Sequence, residues 1–134
     1  MENEIINMLF PHSLVECQSK VYLAGLLGVK IHHIFSWRID GVYSYGVEKA
    51  YNEWDRSRVD ANDLRIRNVN NMECYKPEDI SVEDWYKVLG IAAYMKKNTM
   101  SNRGNIYNFL CKCKINCNDV AFDLAWKTLE RYKI

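Results

Sequence analysis

The chain has 134 residues, 49% of them hydrophobic and 26% charged, with a formal net charge of +1 and only two prolines. That length and mix fit one globular domain able to bury roughly two-thirds of its unfolded surface, and they exclude a disordered chain. No apolar run approaches the ~20 residues that span a bilayer, and a net charge this close to zero singles out no class of partner.

The opening MENEIINMLF sets acids ahead of a short apolar patch. That is the wrong sign for a secretory signal, so a soluble cytoplasmic protein without membrane contact is expected. Residues 3–9 are predicted to form a short helix, with Asn3 as its cap and Ile5, Ile6, Leu9 and Phe10 on the apolar side, ended by Pro11. Ser13-Leu-Val-Glu16 has the capping-box form, in which the Ser oxygen and the Glu side chain each take a free amide. The helix it opens should run from Leu14 to about Leu27, with Leu14, Cys17, Val21, Ala24 and Leu27 as its core stripe and Gly28 as its stop.

From Val29 to Ile39 the pattern turns β-like, with Val29, Ile31, Ile34, Phe35, Trp37 and Ile39 in imperfect alternation, and a short strand or extended arm is expected. Asp40-Gly41 is a turn signal, and Ser44 is placed to cap a helix through about Arg56 that turns Val47, Ala50, Tyr51 and Trp54 inward. Residues 57–80 are polar and Asn-rich, and Leu64, Ile66 and Val69 suit either a brief helix or a strand. Ser81 opens a helix to about Lys97 with Trp85, Val88, Leu89, Ala92 and Ala93 inward. Acids stand in its first turn and Lys96 and Lys97 in its last, matching the helix dipole. A loop over 98–104 precedes a helix from Asn105 to Cys113 that buries Ile106, Phe109 and Leu110. Asn118 or Asn116 then caps a final helix striped by Ala121, Phe122, Ala125, Trp126 and Leu129. The expected fold is mainly α: a single domain over residues 1–134, with five or six helices and one short extended arm or β-hairpin.

Several groupings invite chemistry. Leu23-Ala-Gly-Leu-Leu-Gly28 is similar to the helix of the LAGLIDADG homing endonucleases, but Gly28 stands where the metal-binding acid is required, so a packing helix is the better reading. Cys111, Cys113 and Cys117, with Cys74 upstream, lack paired CxxC spacing, and no His follows His33, so buried or half-exposed thiols are expected in place of a metal site. The fifth cysteine, Cys17, makes the count odd, which argues against a secreted disulfide framework. His32 and His33 are adjacent, so in a strand their rings point to opposite faces, and no nucleophile motif accompanies them. No cofactor and no catalytic set are expected.

Charge is unevenly spread. Residues 1–55 carry four Lys/Arg against seven Asp/Glu, and residues 56–134 carry fourteen against ten. Between Asp84 and Asp119 there is no acid, while Lys96, Lys97, Arg103, Lys112 and Lys114 fall there among Tyr86, Tyr94, Tyr107 and Phe109. Cations interleaved with aromatics can hold a phosphate backbone and stack bases, which makes these five residues a candidate nucleic-acid surface. Alternatively, the lysines solvate helix faces over core aromatics, or meet an acidic protein.

Lys20-Val-Tyr-Leu23, Gly28, the Phe35-Ser-Trp37 arm and Gly41-Val-Tyr-Ser44 before a helix resemble the YwgA-like and Panacea (SocA-type) proteins. Those carry a K-x-x-Y-L helix, a glycine, an aromatic arm and a G-P-Y-S turn. The match covers about residues 14–55, and Val42 stands where the family has proline. The resemblance implies a non-enzymatic regulator that binds another protein, as an antitoxin, an adaptor, or a mobile-element or viral inhibitor of a host complex. Its partner would be a toxin or a component of host defence or proteolysis. Trp37, Arg38, Tyr43 and Tyr45 are the candidate anchors, because aromatics and Arg dominate interface energetics.

Overall fold

A computed structural model describes residues 2–99, 101–113 and 115–134. Among them the chain forms seven α-helices and one two-stranded hairpin: α1 (Glu2–Leu9), α2 (Leu14–Leu26), β1 (Ser36–Arg38), β2 (Gly41–Tyr43), α3 (Tyr45–Glu53), α4 (Leu64–Asn71), α5 (Val82–Asn98), α6 (Arg103–Lys112) and α7 (Asp119–Arg131). A 3-10 turn, Met72–Tyr75, extends α4. The mainly α expectation is met. The segment left open between helix and strand, residues 57–80, supplies α4.

Local signals placed most helix starts. Ser13, Ser81 and Asn118 cap α2, α5 and α7, each accepting from the amide three residues on, and Asn102 does the same for α6. The capping box at Ser13 closes only on one side. Glu16 accepts from the His12 amide (3.2 Å) and reaches Lys20 Nζ (3.0 Å). Asn3 lies inside α1, which begins at Glu2, so it is not the cap.

Packing centres on α2 and α5, the most extensive helix pair. Their backbones approach so closely at Gly90 that a Cβ there would stand 2.9 Å from Ser19 Oγ, which is why no side chain fits. Helix α2 is therefore buried nearly all round, from Glu16 to Ala24, and its single-stripe reading was too narrow. Around this pair the buried apolar side chains form one cluster that includes Leu23, Trp85, Tyr86, Leu89, Ile106 and Leu129.

Carbonyls at helix ends find distant partners, as orphan acceptors in a core require. At the end of α1, Asn7 O accepts from the Val59 amide, Met8 O from Asn70 and Leu9 O from Lys20. At the end of α4, Val69 O accepts from the Tyr86 hydroxyl (2.6 Å) and Met72 O from Trp85 Nε1 (2.9 Å). Two adjacent aromatics of α5 thus hold the polar segment in place. Among the described residues no helix is long and apolar enough to cross a membrane.

Candidate functional site

The site begins with a buried amide. Gln18, on α2, donates from Nε2 to Ser44 O (3.0 Å) and accepts at Oε1 from Ser44 N (2.9 Å). Its side chain pairs with backbone as a neighbouring strand would, and both residues are buried. Ser44 precedes α3 but makes no side-chain cap bond. Its contribution is through its main chain.

From that anchor the hairpin projects. Strands β1 and β2 pair antiparallel, with Ser36 opposite Tyr43, Trp37 opposite Val42 and Arg38 opposite Gly41. The two-residue connection is Ile39-Asp40, one residue earlier than the Asp-Gly signal suggested. Gly41 still needs to be glycine. It takes φ +128° as the first residue of β2, a conformation that a Cβ disfavours. Val42 is buried, and β2 packs on both α2 and α5, whereas every residue of β1 is exposed.

The four expected anchors all lie on this hairpin or beside it, but they do different things. Trp37 is 45% exposed and meets Phe109 of α6 edge-to-face, with ring centroids 5.1 Å apart. Arg38 stacks its guanidinium 3.5 Å over the Tyr43 ring. Tyr43 is half-buried and donates to Glu48 Oε1 (3.0 Å). Desolvation first, then the bond and charge of Glu48, holds its phenol above the ordinary value. Tyr45 is 70% exposed at the start of α3. Ile34 and Ile39, part of the β-like pattern expected over 29–39, are 92% and 54% exposed. They belong with Trp37 and Tyr45 as outward apolar groups that sequence reasoning missed, since nothing local shows which side of so short an arm is covered.

The basic set is less coherent. Lys96 donates to the Ile134 main-chain oxygen (2.7 Å) and lies 4.8 Å from the Trp126 ring, so it joins α5 to the end of the chain. Arg103 pairs with Asp123 and lies over Phe122. Lys97 and Lys112 are exposed, and Lys114 lies outside the described residues. Tyr86, one of the aromatics interleaved with these cations, is fully buried and cannot stack on a base. A cleft between α6 and α7 is lined by Arg103, Gly104, Tyr107, Asp119 and Phe122. Its polar groups are mutually engaged, with the Tyr107 hydroxyl donating to Asp119 and that bond holding the phenol above its ordinary value.

All five cysteines are free thiols. Cys17 is buried, and desolvation, reinforced by the charge of Glu16, pushes it up to about 12. Among the described residues no three His, Cys, Asp or Glu are grouped to hold a metal ion. His32 is exposed, and the half-buried His33 ring lies against Gly46 of α3. No family model, curated protein or solved structure matches the chain.

Proposed function

We propose that the chain is a non-enzymatic protein-binding regulator of antitoxin, adaptor or mobile-element inhibitor type, and that the hairpin is its contact surface. The observation that carries this is the cluster of large apolar side chains held outward on and beside a pinned hairpin: Ile34, Trp37, Ile39 and Tyr45. Scattered apolar residues on a surface are ordinary, but four large exposed ones within twelve residues concentrate apolar surface on one short stretch of chain, as an interface requires. Trp and Tyr carry large area at low entropic cost, and the stacked Arg38–Tyr43 pair adds a rigid polar rim. The likeness of residues 14–55 to YwgA-like and Panacea proteins points to the same class, with a cytoplasmic toxin or a defence or protease component as the partner.

The test is comparative capture from the source cell, with the tagged chain as bait. Ile39→Glu/Tyr45→Glu should lose the partner while its thermal melt stays that of the parent. Lys97→Glu/Lys112→Glu should retain it. The reverse pattern, with recovery that falls steeply with salt and a mobility shift on nucleic acid, would instead assign the chain to nucleic-acid binding through α5 and α6.

A further inference from the structure

Three of the five cysteines, Cys111, Cys113 and Cys117, fall where α6 gives way to α7. Only the six residues 113–118 join the two helices. Among them Ile115 is buried and its amide donates to Cys113 O (2.8 Å), so the connection is held against the protein. The helices also meet through one phenol. Tyr107 stands one turn before Cys111 on α6, and its hydroxyl reaches both the Cys111 thiol and the carboxylate of Asp119, the first residue of α7. Cys117 lies two residues before Asp119 and is near enough to feel the charge of Cys111. Cys111 and Cys117 therefore flank a direct contact between the helices, one thiol on each side. Cys111 is exposed and Cys117 half-buried. Cys113 stands apart from this pair: burial alone raises its thiol, with no charge of another thiol acting on it.

We propose that Cys111 and Cys117 form a reversible disulfide when the chain meets a peroxide, and that this bond staples α6 to α7. Exposed Cys111 reacts first. Its thiolate attacks the peroxide, an S–O bond forms as the O–O bond breaks, and the departing hydroxide takes up the thiol proton as water. The Cys117 thiolate then attacks the sulfenic sulfur. The S–S bond forms, and the hydroxyl leaves with the Cys117 proton as a second water. Two electrons pass from the two thiols to the peroxide. An exposed thiol beside a resolving one is the arrangement of redox-sensitive sites. Desolvation, then the charges of Cys111 and Asp119, push Cys117 up to about 11. Turning Cys111 into an uncharged sulfenic acid removes the first of those charges, and closure quickens between about pH 7 and 9 as the thiolate fraction grows. Phe109, two residues before Cys111, is the ring that meets Trp37, so the bond fixes the end of the helix that braces the hairpin. The bond needs no partner protein and is independent of the role of the hairpin.

The test is peptide mapping of the full chain after treatment with hydrogen peroxide, with the remaining thiols blocked in acid. Trypsin cuts after Arg103, Lys112, Lys114 and Lys127, so Cys111, Cys113 and Cys117 fall on three separate peptides. The expected main product joins peptide 104–112 to peptide 115–127, two hydrogens lighter than their sum, and dithiothreitol separates them. Pairings with Cys113 or Cys74 should be minor. Oxidation should raise the thermal midpoint by about 5 °C, because the bond closes a loop in the unfolded chain. Cys111→Ser and Cys117→Ser should each lose both the product and the rise, and Cys113→Ser should keep them. A main product through Cys113 or Cys74, a link between two chains, or a Cys111 that ends as sulfinic acid overturns the proposal. So does the expected link with a lowered thermal midpoint, since the native geometry would then have to break to form it.

Discussion

The Gln18 side-chain amide and the Ser44 main chain satisfy each other twice, across 26 residues of sequence and inside the protein. This pair fixes where the hairpin leaves α2 and where α3 begins, so a surface loop inherits the rigidity of the central helix. Gln18→Leu would keep the volume roughly constant and strand two buried backbone groups. At ~1–3 kcal/mol for an unsatisfied buried group, a loss of about 2–4 kcal/mol is expected. Urea denaturation checks the size. Faster amide exchange over residues 36–44 checks that the hairpin is what loosens.

Glu16 and Lys20 are 1% and 3% exposed, an ion pair one helical turn apart in the core. The Glu16 carboxylate also accepts from the His12 amide, and the Lys20 ammonium donates to Leu9 O and lies 4.8 Å from the Tyr86 ring. Every charge therefore has company, and removing one partner isolates the other. Lys20→Met is expected to cost about 3–5 kcal/mol, and the Glu16→Gln/Lys20→Met double variant clearly less than the sum of the single changes. A double-mutant cycle by chemical denaturation decides this; additive losses would mean that the two charges are stabilised independently.

What the sequence revealed tracks how local each determinant is. Ser13, Ser81 and Asn118 act within three residues, and Pro11 within two, so helix boundaries were legible. The stripes of α5 and α7 were legible too, because periodicity is a property of the element itself. Tyr86 was misplaced among surface aromatics because its acceptors, Val69 O and Asn70 O, lie 17 and 16 residues away. Residues 57–80 stayed open between helix and strand for the same reason: groups that order them sit on α1 and α5. Ile34 and Ile39 could not be sorted by alternation, because the arm has one short paired strand and no covering layer. The anchors Trp37, Arg38, Tyr43 and Tyr45 were found as residue types. Their division into a tie to α6, a stacked pair and a free ring depends on tertiary placement.

Burial also sets an alkaline limit. Desolvation pushes Cys17 up to about 12 from an ordinary value of 9.0, and Tyr22 up to about 12 from 10.0. It raises Tyr86 as well, helped by the charges of Glu73 and Glu16. In the unfolded chain these groups lose their protons first, so the native state binds more protons above pH 9 and stability falls as pH rises. Below the ordinary values their contribution is complete. Urea midpoints should hold from pH 7 to about 9 and decline from there toward 12, with a shallower decline in Tyr86→Phe. Alkylation read by mass spectrometry should label the exposed Cys74 and Cys111 in the native state and Cys17 only on unfolding.

Trp37 faces two demands at once, since its ring meets Phe109 edge-to-face while 45% of its surface stays open. An aromatic pair of this kind is worth about 0.5–1.5 kcal/mol beyond its area. With its buried half adding about 1–2 kcal/mol of area, Trp37→Ala should cost about 2–3 kcal/mol and leave a folded protein, whereas a fully buried tryptophan would cost about 3–5. Phe109→Leu separates the two roles, because it removes the ring contact and keeps the indole. If the indole itself grips the partner, Phe109→Leu retains most capture and Trp37→Ala loses it. If the tie to α6 sets the hairpin angle, both variants lose capture alike. We expect the first outcome, because Gln18 already pins the base of the hairpin from behind. Paired measurements of urea stability and partner recovery on the two single variants and the double distinguish them, and a Trp37→Ala protein that fails to fold would return Trp37 to the core and remove it as an anchor.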